Sequence, residues 1–266
     1  MKPAIVVTGA SSGIGRELAR VAAREAAAMV LLGQSQQALD DLAAELGRSG
    51  VEVHAFSVDL AARDAGQRIE NALSEFGVYC DVLVNSAGFG VFGVAADADR
   101  EEQLSLIDVN ARALTELTLR FLSGMVTRGH GGILNVGSIT GFIPGPNMAV
   151  YHASKAYVRS FTAALAAELA GTGVKVTCLS PGIVRTPFFQ RAGVGQTRLV
   201  KLMPRADAPQ VAEAGWRAFR AGKRLFIPGL MNRIIISACA VLPDVVVLRL
   251  ISALQRPRGS AKSLRM

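Results

Sequence analysis

Val6-Val7-Thr8-Gly9-Ala10-Ser11-Ser12-Gly13-Ile14-Gly15 carries an apolar, β-branched run into three glycines. Residues 4–7 read as a buried strand, and 15–27 as a helix with charges on one face and Ala, Leu and Val on the other. A strand, a glycine turn and a helix in that order are the setting in which a loop grips phosphate. Gly9 permits the tight turn, Gly13 lets the backbone approach a pyrophosphate, and Gly15 lets helix and strand pack closely. Backbone N–H groups at the helix start, through Ser11, Ser12 and Ile14, would then hold the anion with the help of the helix dipole. Many strand-to-helix corners need glycine, so the loop decides nothing by itself.

The same alternation continues outward. Apolar runs at 29–32, 51–58, 82–84, 133–136, 174–179 and 225–227 are separated by amphipathic stretches at 36–46, 63–76, 100–125 and 153–169. Strands interleaved with helices predict a parallel sheet wound in both directions with right-handed crossovers. Half of the 266 residues are hydrophobic and 19% are charged, enough apolar material for a sheet covered on both faces. Cys80, Cys178 and Cys239 show neither a CxxC nor a Cys/His spacing, which argues against a disulfide framework and a zinc site. Lys2 and Pro3 run straight into the first strand and leave no room for a secretory leader, so a cytoplasmic, reducing location and no metal are expected.

Tyr151 and Lys155 stand four apart at the start of an Ala-rich helix, so their side chains share a face. A phenol titrates near roughly 10, and a neighbouring ammonium favours the phenolate and lowers that value. Tyr151 is thereby expected to serve as a general acid or base. Ser138, just past the 133–136 run, is placed to hydrogen-bond a substrate oxygen. Plainer readings exist for each: a surface helix pair, a turn residue for Ser138, a mid-helix polar residue for Asn110 and a helix N-cap for Asp59. For Asn110, Ser138, Tyr151 and Lys155, what weighs against those readings is that all four stand in the order and spacing of a known family.

The spacing Thr8-Gly9-x-x-x-Gly13-x-Gly15, followed by these motifs, resembles the short-chain dehydrogenase/reductase family up to about residue 230. The resemblance implies a single Rossmann-like α/β domain, a doubly wound parallel sheet of about seven strands with helices on both faces. It implies hydride transfer between NAD(P) and a carbonyl or alcohol, with Asn110, Ser138, Tyr151 and Lys155 as the catalytic set. In that set the lysine also binds the nicotinamide ribose, and Asn110 holds a water in the relay to it. Val58-Asp59-Leu60 is similar to the adenine-contacting element. Asn85-Ser86-Ala87-Gly88 is similar to the family's Asn-Asn-Ala-Gly, with Ser86 in place of the second Asn. Pro181-Gly182-Ile183 with Thr186 is similar to the loop that receives the nicotinamide carboxamide. On this reading residues 1–230 form the catalytic domain, and 231–266 an apolar helix and basic tail attached to it. A non-catalytic NAD(P)-binding regulator on the same fold is the alternative, disfavoured by the intact Tyr151 and Lys155 pair. An epimerase or dehydratase of the related extended family would need a longer substrate domain and another glycine spacing.

At the end of the second strand an acidic residue would bind the ribose 2′-hydroxyl and repel a 2′-phosphate. Leu31-Leu32-Gly33-Gln34-Ser35 has none, so NADP is favoured over NAD, with Gln34, Ser12 and Ser35 as donors and Arg16 beside them. Phe89, Phe92, Phe142, Ile143, Phe188, Phe189, Leu199 and Met203 flank the site motifs and predict a pocket for an apolar, lipid-like carbonyl. Ala-rich and Leu-rich stripes on 100–125 and 153–169 predict a homodimer or homotetramer. The charge is lopsided: residues 201–266 hold 12 Lys/Arg against three Asp/Glu, and 1–200 hold 17 against 18. Residues 234–254 are apolar but divided by Pro243, Asp244 and Arg249, and their longest charge-free run falls far short of the roughly 20 residues that cross a bilayer. Cations framing apolar residues fit a membrane surface or an acyl carrier; a packed helix with a solvated basic rim is the other reading. No nucleic-acid motif is present, and from Arg256 the composition predicts disorder.

Overall fold

Ile5 and Val7 of the first strand point into one apolar core while Ala4 and Val6 point into another, and all four are buried. Strands that alternate between two cores must be covered on both sides, which is why they read as unbroken apolar runs. The computed structural model describes residues 1–194, 197, 200 and 203–255. Leu199 and the basic end from Arg256, with Arg258, Lys262 and Arg265, lie outside the described residues.

The strands are β1 (Lys2–Thr8), β2 (Ala28–Gly33), β3 (Glu52–Ser57), β4 (Val78–Asn85), β5 (Gly131–Val136), β6 (Val174–Leu179), β7 (Val184–Arg185), β8 (Ala206–Asp207) and β9 (Leu225–Phe226). Seven of them form one sheet in the order β3-β2-β1-β4-β5-β6-β9, all parallel, and β7 pairs with β8 apart from it. The fold is therefore the expected doubly wound sheet. Its winding reverses between β1 and β4, where the carboxyl ends of strands open a crevice for a ligand. Helices α1 (Gly13–Ala22), α2 (Gln36–Gly47) and α8 (Ala208–Arg220) cover one face through Leu18, Leu39, Leu42, Val211 and Phe219, while the short α7 (Phe188–Arg191) lines the crevice. Helices α3 (Ala65–Glu75), α5 (Leu114–Arg128) and α6 (Ala149–Glu168) cover the other through Ile69, Leu73, Leu117, Met125 and Leu165.

Two elements differ from the sequence reading. The stretch expected as one helix over 100–125 is α4 (Arg100–Ile107), a π turn at Asp108–Ala113 and then α5. The tail expected as one apolar helix is two, α9 (Leu230–Val241) and α10 (Asp244–Gln255). Pro243 disfavours helical backbone at the residue before it, and Leu242 is accordingly extended, at φ −85° and ψ 145°. No helix among the described residues is long and apolar enough to cross a membrane.

Candidate active site

The glycine loop between β1 and α1 is built by close approach. Gly9 (φ 68°) and Gly13 (φ 59°) adopt the left-handed region that favours glycine. A Cβ on Gly9 would lie 2.8 Å from the Ala87 backbone, and one on Gly15 would lie 2.4 Å from the Gly9 carbonyl oxygen. Thr8 holds the opposite wall: its Oγ1 accepts from the Ser86 and Ala87 N–H groups at 3.0 and 3.1 Å. These contacts leave a cradle of bare backbone at a helix N-terminus, which fits a dinucleotide pyrophosphate.

From the cradle runs a cleft of about 890 Å³, lined by most of the residues singled out in the sequence. Gly9, Ser11, Ser12, Gly13, Ile14, Gly15 and Gln34 stand at one end, with Asp59 and Leu60 beside them. Ala87, Gly88, Ser138, Tyr151 and Lys155 form the middle, and Pro181, Gly182, Ile183 and Thr186 the facing loop. Asp59 also caps its own turn, its Oδ1 accepting from the Ala61 N–H at 3.0 Å.

Asn85 and Asn110 do not line the cleft. Asn85 is the last residue of β4, and its side chain points to the face covered by α5 and α6. It donates to Thr118 Oγ1 at 3.2 Å and to Asn135 Oδ1 at 2.9 Å. Asn110 lies in the π turn, 1% exposed. Its amide is taken up by the Phe89 backbone, accepting from the N–H at 3.0 Å and donating to the carbonyl at 2.9 Å, and it also donates to Ser154 Oγ at 3.2 Å. The π turn bulges the helix toward the site and brings the amide to the Gly88-Phe89 loop, so Asn110 fixes the wall behind the reacting groups.

Tyr151 and Lys155 sit where expected, one turn apart on α6, 8% and 6% exposed. The expected acidification of the phenol by the ammonium is not what this geometry gives. Lys155 Nζ donates to the Val136 carbonyl at 2.9 Å and is 6.0 Å from the centre of the Tyr151 ring. Burial dominates both groups, because a dry site penalises whichever form is charged. It pushes the phenol up to about 12, opposed in part by the hydroxyls of Ser138 and Thr140. It pulls the ammonium down to about 8. The arrangement is a phenol that keeps its proton beside an amine that titrates close to neutrality.

Beyond Tyr151 the wall becomes apolar. The ring of Phe188 lies 5.4 Å from that of Tyr151 and 5.3 Å from Phe189. Ile143, Val194, Val200 and Met203 continue the lining, and α9 and α10 close it with Ile235, Val247, Leu250, Ile251 and Leu254. Phe89 joins them, whereas Phe92 packs behind the wall and Phe142 lies under the Arg159 guanidinium at 4.6 Å. Two polar residues in this lining escaped the sequence reading. His152 Nδ1 is bonded to the Ile143 carbonyl at 2.9 Å while its Nε2 is buried without a partner, and burial holds the ring below the usual imidazole value. Gln255, 1% exposed, turns an unpartnered Oε1 inward among the described residues. The adjacency of His152 to Tyr151 was a usable signal; nothing in the sequence marked Gln255.

A family model described as short chain dehydrogenase matches residues 3–196. Sulfoacetaldehyde reductase 2 of Chromohalobacter salexigens is 37% identical over 190 residues, 71% of this chain and 75% of that one. A solved short-chain dehydrogenase from Sphingobium yanoikuyae in complex with NADPH has a TM-score of 0.80 at 32% identity, covering 98% of both chains. A bulky-bulky ketone specific alcohol dehydrogenase from Comamonas testosteroni has a TM-score of 0.74 at 25% identity, over 91% of this chain and 95% of that one.

Proposed function

The chain belongs to the short chain dehydrogenase family and is an NAD(P)-dependent oxidoreductase, and from that premise we propose that it reduces bulky, apolar ketones or aldehydes with NADPH. The observation that carries this reading is the buried Tyr151, which stands where the glycine-loop end of the cleft meets its apolar end and whose phenol burial pushes up.

When bound, the reduced nicotinamide supplies the hydride. Tyr151 gives its proton to the substrate oxygen, and Ser138 donates a hydrogen bond to that oxygen and aligns it. Lys155, with its charge on near neutrality, holds the nicotinamide ribose and offsets negative charge appearing at the phenol. Gly9, Ser11, Ser12, Gly13, Ile14 and Gly15 hold the pyrophosphate. Asp59 and Leu60 frame the adenine, Ala87 and Gly88 give the adenosine ribose room, and Pro181, Gly182, Ile183 and Thr186 orient the nicotinamide. Asn85 and Asn110 serve as supports for those walls. Gln34, which leaves the cleft without a carboxylate at the second strand's end, favours NADP, as do the coenzyme in the Sphingobium yanoikuyae complex and the Ser12 hydroxyl; Ser35 instead caps α2, its Oγ accepting from the Ala38 N–H at 3.4 Å.

The substrate class follows from the wall of Phe188, Phe189, Met203, Ile251 and Leu254, and the bulky-ketone specificity of the Comamonas testosteroni enzyme agrees with it. The sulfoacetaldehyde named for the Chromohalobacter salexigens enzyme favours a second reading, a small anionic carbonyl held by Arg191, which also lines the cleft. The test is steady-state NADPH oxidation with bulky aryl and alicyclic ketones against sulfoacetaldehyde. Higher kcat/KM on the bulky ketones is expected, and preference for the anion would reverse the assignment. We further read residues 1–230 as the catalytic body with 231–266 attached to it. Leu104, Ile107, Leu119 and Tyr157, exposed on α4, α5 and α6, are read as a contact between copies in a homodimer or homotetramer.

A further inference from the structure

Helices α9 and α10 together hold only three charged residues, Arg233, Asp244 and Arg249. Their inner sides belong to the cleft, through Ile235, Cys239, Val247 and Ile251. Their outer sides would be polar on an ordinary surface helix. Instead nine large apolar residues between 230 and 250, among them Leu230, Ile234, Val241 and Val245, are 37–83% exposed. Apolar surface on this scale marks a contact with something other than water.

We propose that this outer face docks on an anionic lipid surface, and that the cleft mouth beside it admits apolar carbonyl substrate directly from the lipid. Charge selects the occupant. Arg233 and Arg249 are exposed on the two helices, Lys223 shares the Phe226 ring with Arg233 at 5.7 and 5.8 Å, and Asp244 is the one carboxylate on those helices. The other two acids after residue 200 are engaged elsewhere, Asp207 with Arg185 at 3.1 Å and Glu213 with Arg24 at 2.9 Å. A second copy meeting this face through a two-fold axis would bring Arg233 and Arg249 of both copies into one interface with only the two Asp244 carboxylates to balance them, which like-charge repulsion opposes. Anionic headgroups meet the same cations with attraction while the branched side chains between them enter the acyl boundary. At 12 residues each, the helices are short enough to lie along the interface and too short to cross it.

The cleft and the docking side share a border. Leu250 is 53% exposed and also lines the cleft, so the edge of the apolar patch is the edge of the opening. Gly182, in the loop assigned to the nicotinamide, packs against α9: a Cβ there would lie 2.6 Å from Asn232 Oδ1. The tail is therefore seated on the site itself. This second half of the proposal rests on the apolar-substrate reading; the docking half does not.

The experiment is co-sedimentation of the full chain with vesicles of phosphatidylcholine and phosphatidylglycerol, with vesicles of phosphatidylcholine alone as the comparison. It is run beside the triple variant Ile234→Asp, Val241→Asp, Val245→Asp, whose positions face away from the cleft. Wild type is expected to pellet with the anionic vesicles and to be released by salt, since surface attraction decays over about 8 Å at physiological ionic strength. The variant is expected to lose about tenfold or more of its bound fraction. Its turnover of a water-soluble carbonyl should match wild type, which shows that it is folded. Wild type that stays in the supernatant at low salt overturns the docking. So does binding that is indifferent to the anionic lipid, or a variant whose only change is a smaller oligomer by light scattering, which would make the face a contact between copies. Vesicle binding without activity on any apolar ketone would leave the docking intact and overturn only the substrate reading.

Discussion

Tyr151 keeps its proton because the site around it is dry. With the phenol pushed up to about 12 and Lys155 pulled down to about 8, raising the pH strips the lysine first. Below about 8 the amine is charged and the phenol is neutral, which is the pair that reduction needs; above it the charge that steadies the developing phenolate is lost. Reductive kcat measured against pH is therefore expected to be level below about 8 and to fall by about tenfold per unit well above it. A rise through that range would contradict the assignment. Lys155→Ala should lower both kcat and coenzyme affinity, checked by turnover and by coenzyme fluorescence titration; unchanged affinity would remove the ribose role. At the other end of the cleft, Gln34→Asp should set a carboxylate against the 2′-phosphate. A shift of about tenfold or more in kcat/KM from NADPH toward NADH is expected, the equivalent of roughly 1.4 kcal/mol of repulsion. The catalytic pair was legible because spacing of four on a helix fixes a shared face. The environment was not, since burial of Tyr151 and Lys155 depends on Ser138, Thr140 and the Val136 carbonyl arriving from other elements.

The β1-loop-α1 unit was readable because each glycine has a single steric reason to be there. Gly15→Ala makes the point quantitative: alanine gains up to about 1 kcal/mol of helix propensity over glycine. Its Cβ would lie 2.4 Å from the Gly9 carbonyl oxygen, a backbone clash that cannot be relieved by rotating a side chain. Overpacking of this kind costs about 1–3 kcal/mol, so the variant should melt lower and respond less to NADPH in a thermal shift assay. An unchanged melting temperature with full coenzyme response would show that the loop is looser than drawn. The π turn at Asp108–Ala113 was hidden, because a widened helical turn keeps the same apolar pattern as an ordinary helix. Asn110 and Asn85 were visible as motif residues, but their directions were not. A side chain at a strand end or inside a π turn goes where its amide finds partners, here the Phe89 backbone and the Thr118 and Asn135 pair.

Across the whole molecule, the parallel sheet sets a crevice at its carboxyl edge, and the tail completes the wall on the substrate side. The sheet could be anticipated from alternating apolar runs, since each strand is buried on both faces. The seating of α9 and α10 could not, because an apolar segment reads alike whether it faces a cleft, a second copy or a lipid. The exposed residues Leu104, Ile107, Leu119 and Tyr157 on α4, α5 and α6 should be covered by another copy, so light scattering at micromolar concentration is expected to give a dimer or tetramer; a monomer would count against that contact. The central claim joins the buried phenol to the apolar cleft, and one comparison tests it: NADPH-dependent reduction of a bulky apolar ketone by wild type and by Tyr151→Phe, with NADPH affinity measured on both. The ring is retained and only the proton donor is lost, so turnover should fall by about a hundredfold or more with affinity nearly unchanged. Near-wild-type turnover by Tyr151→Phe would contradict the account.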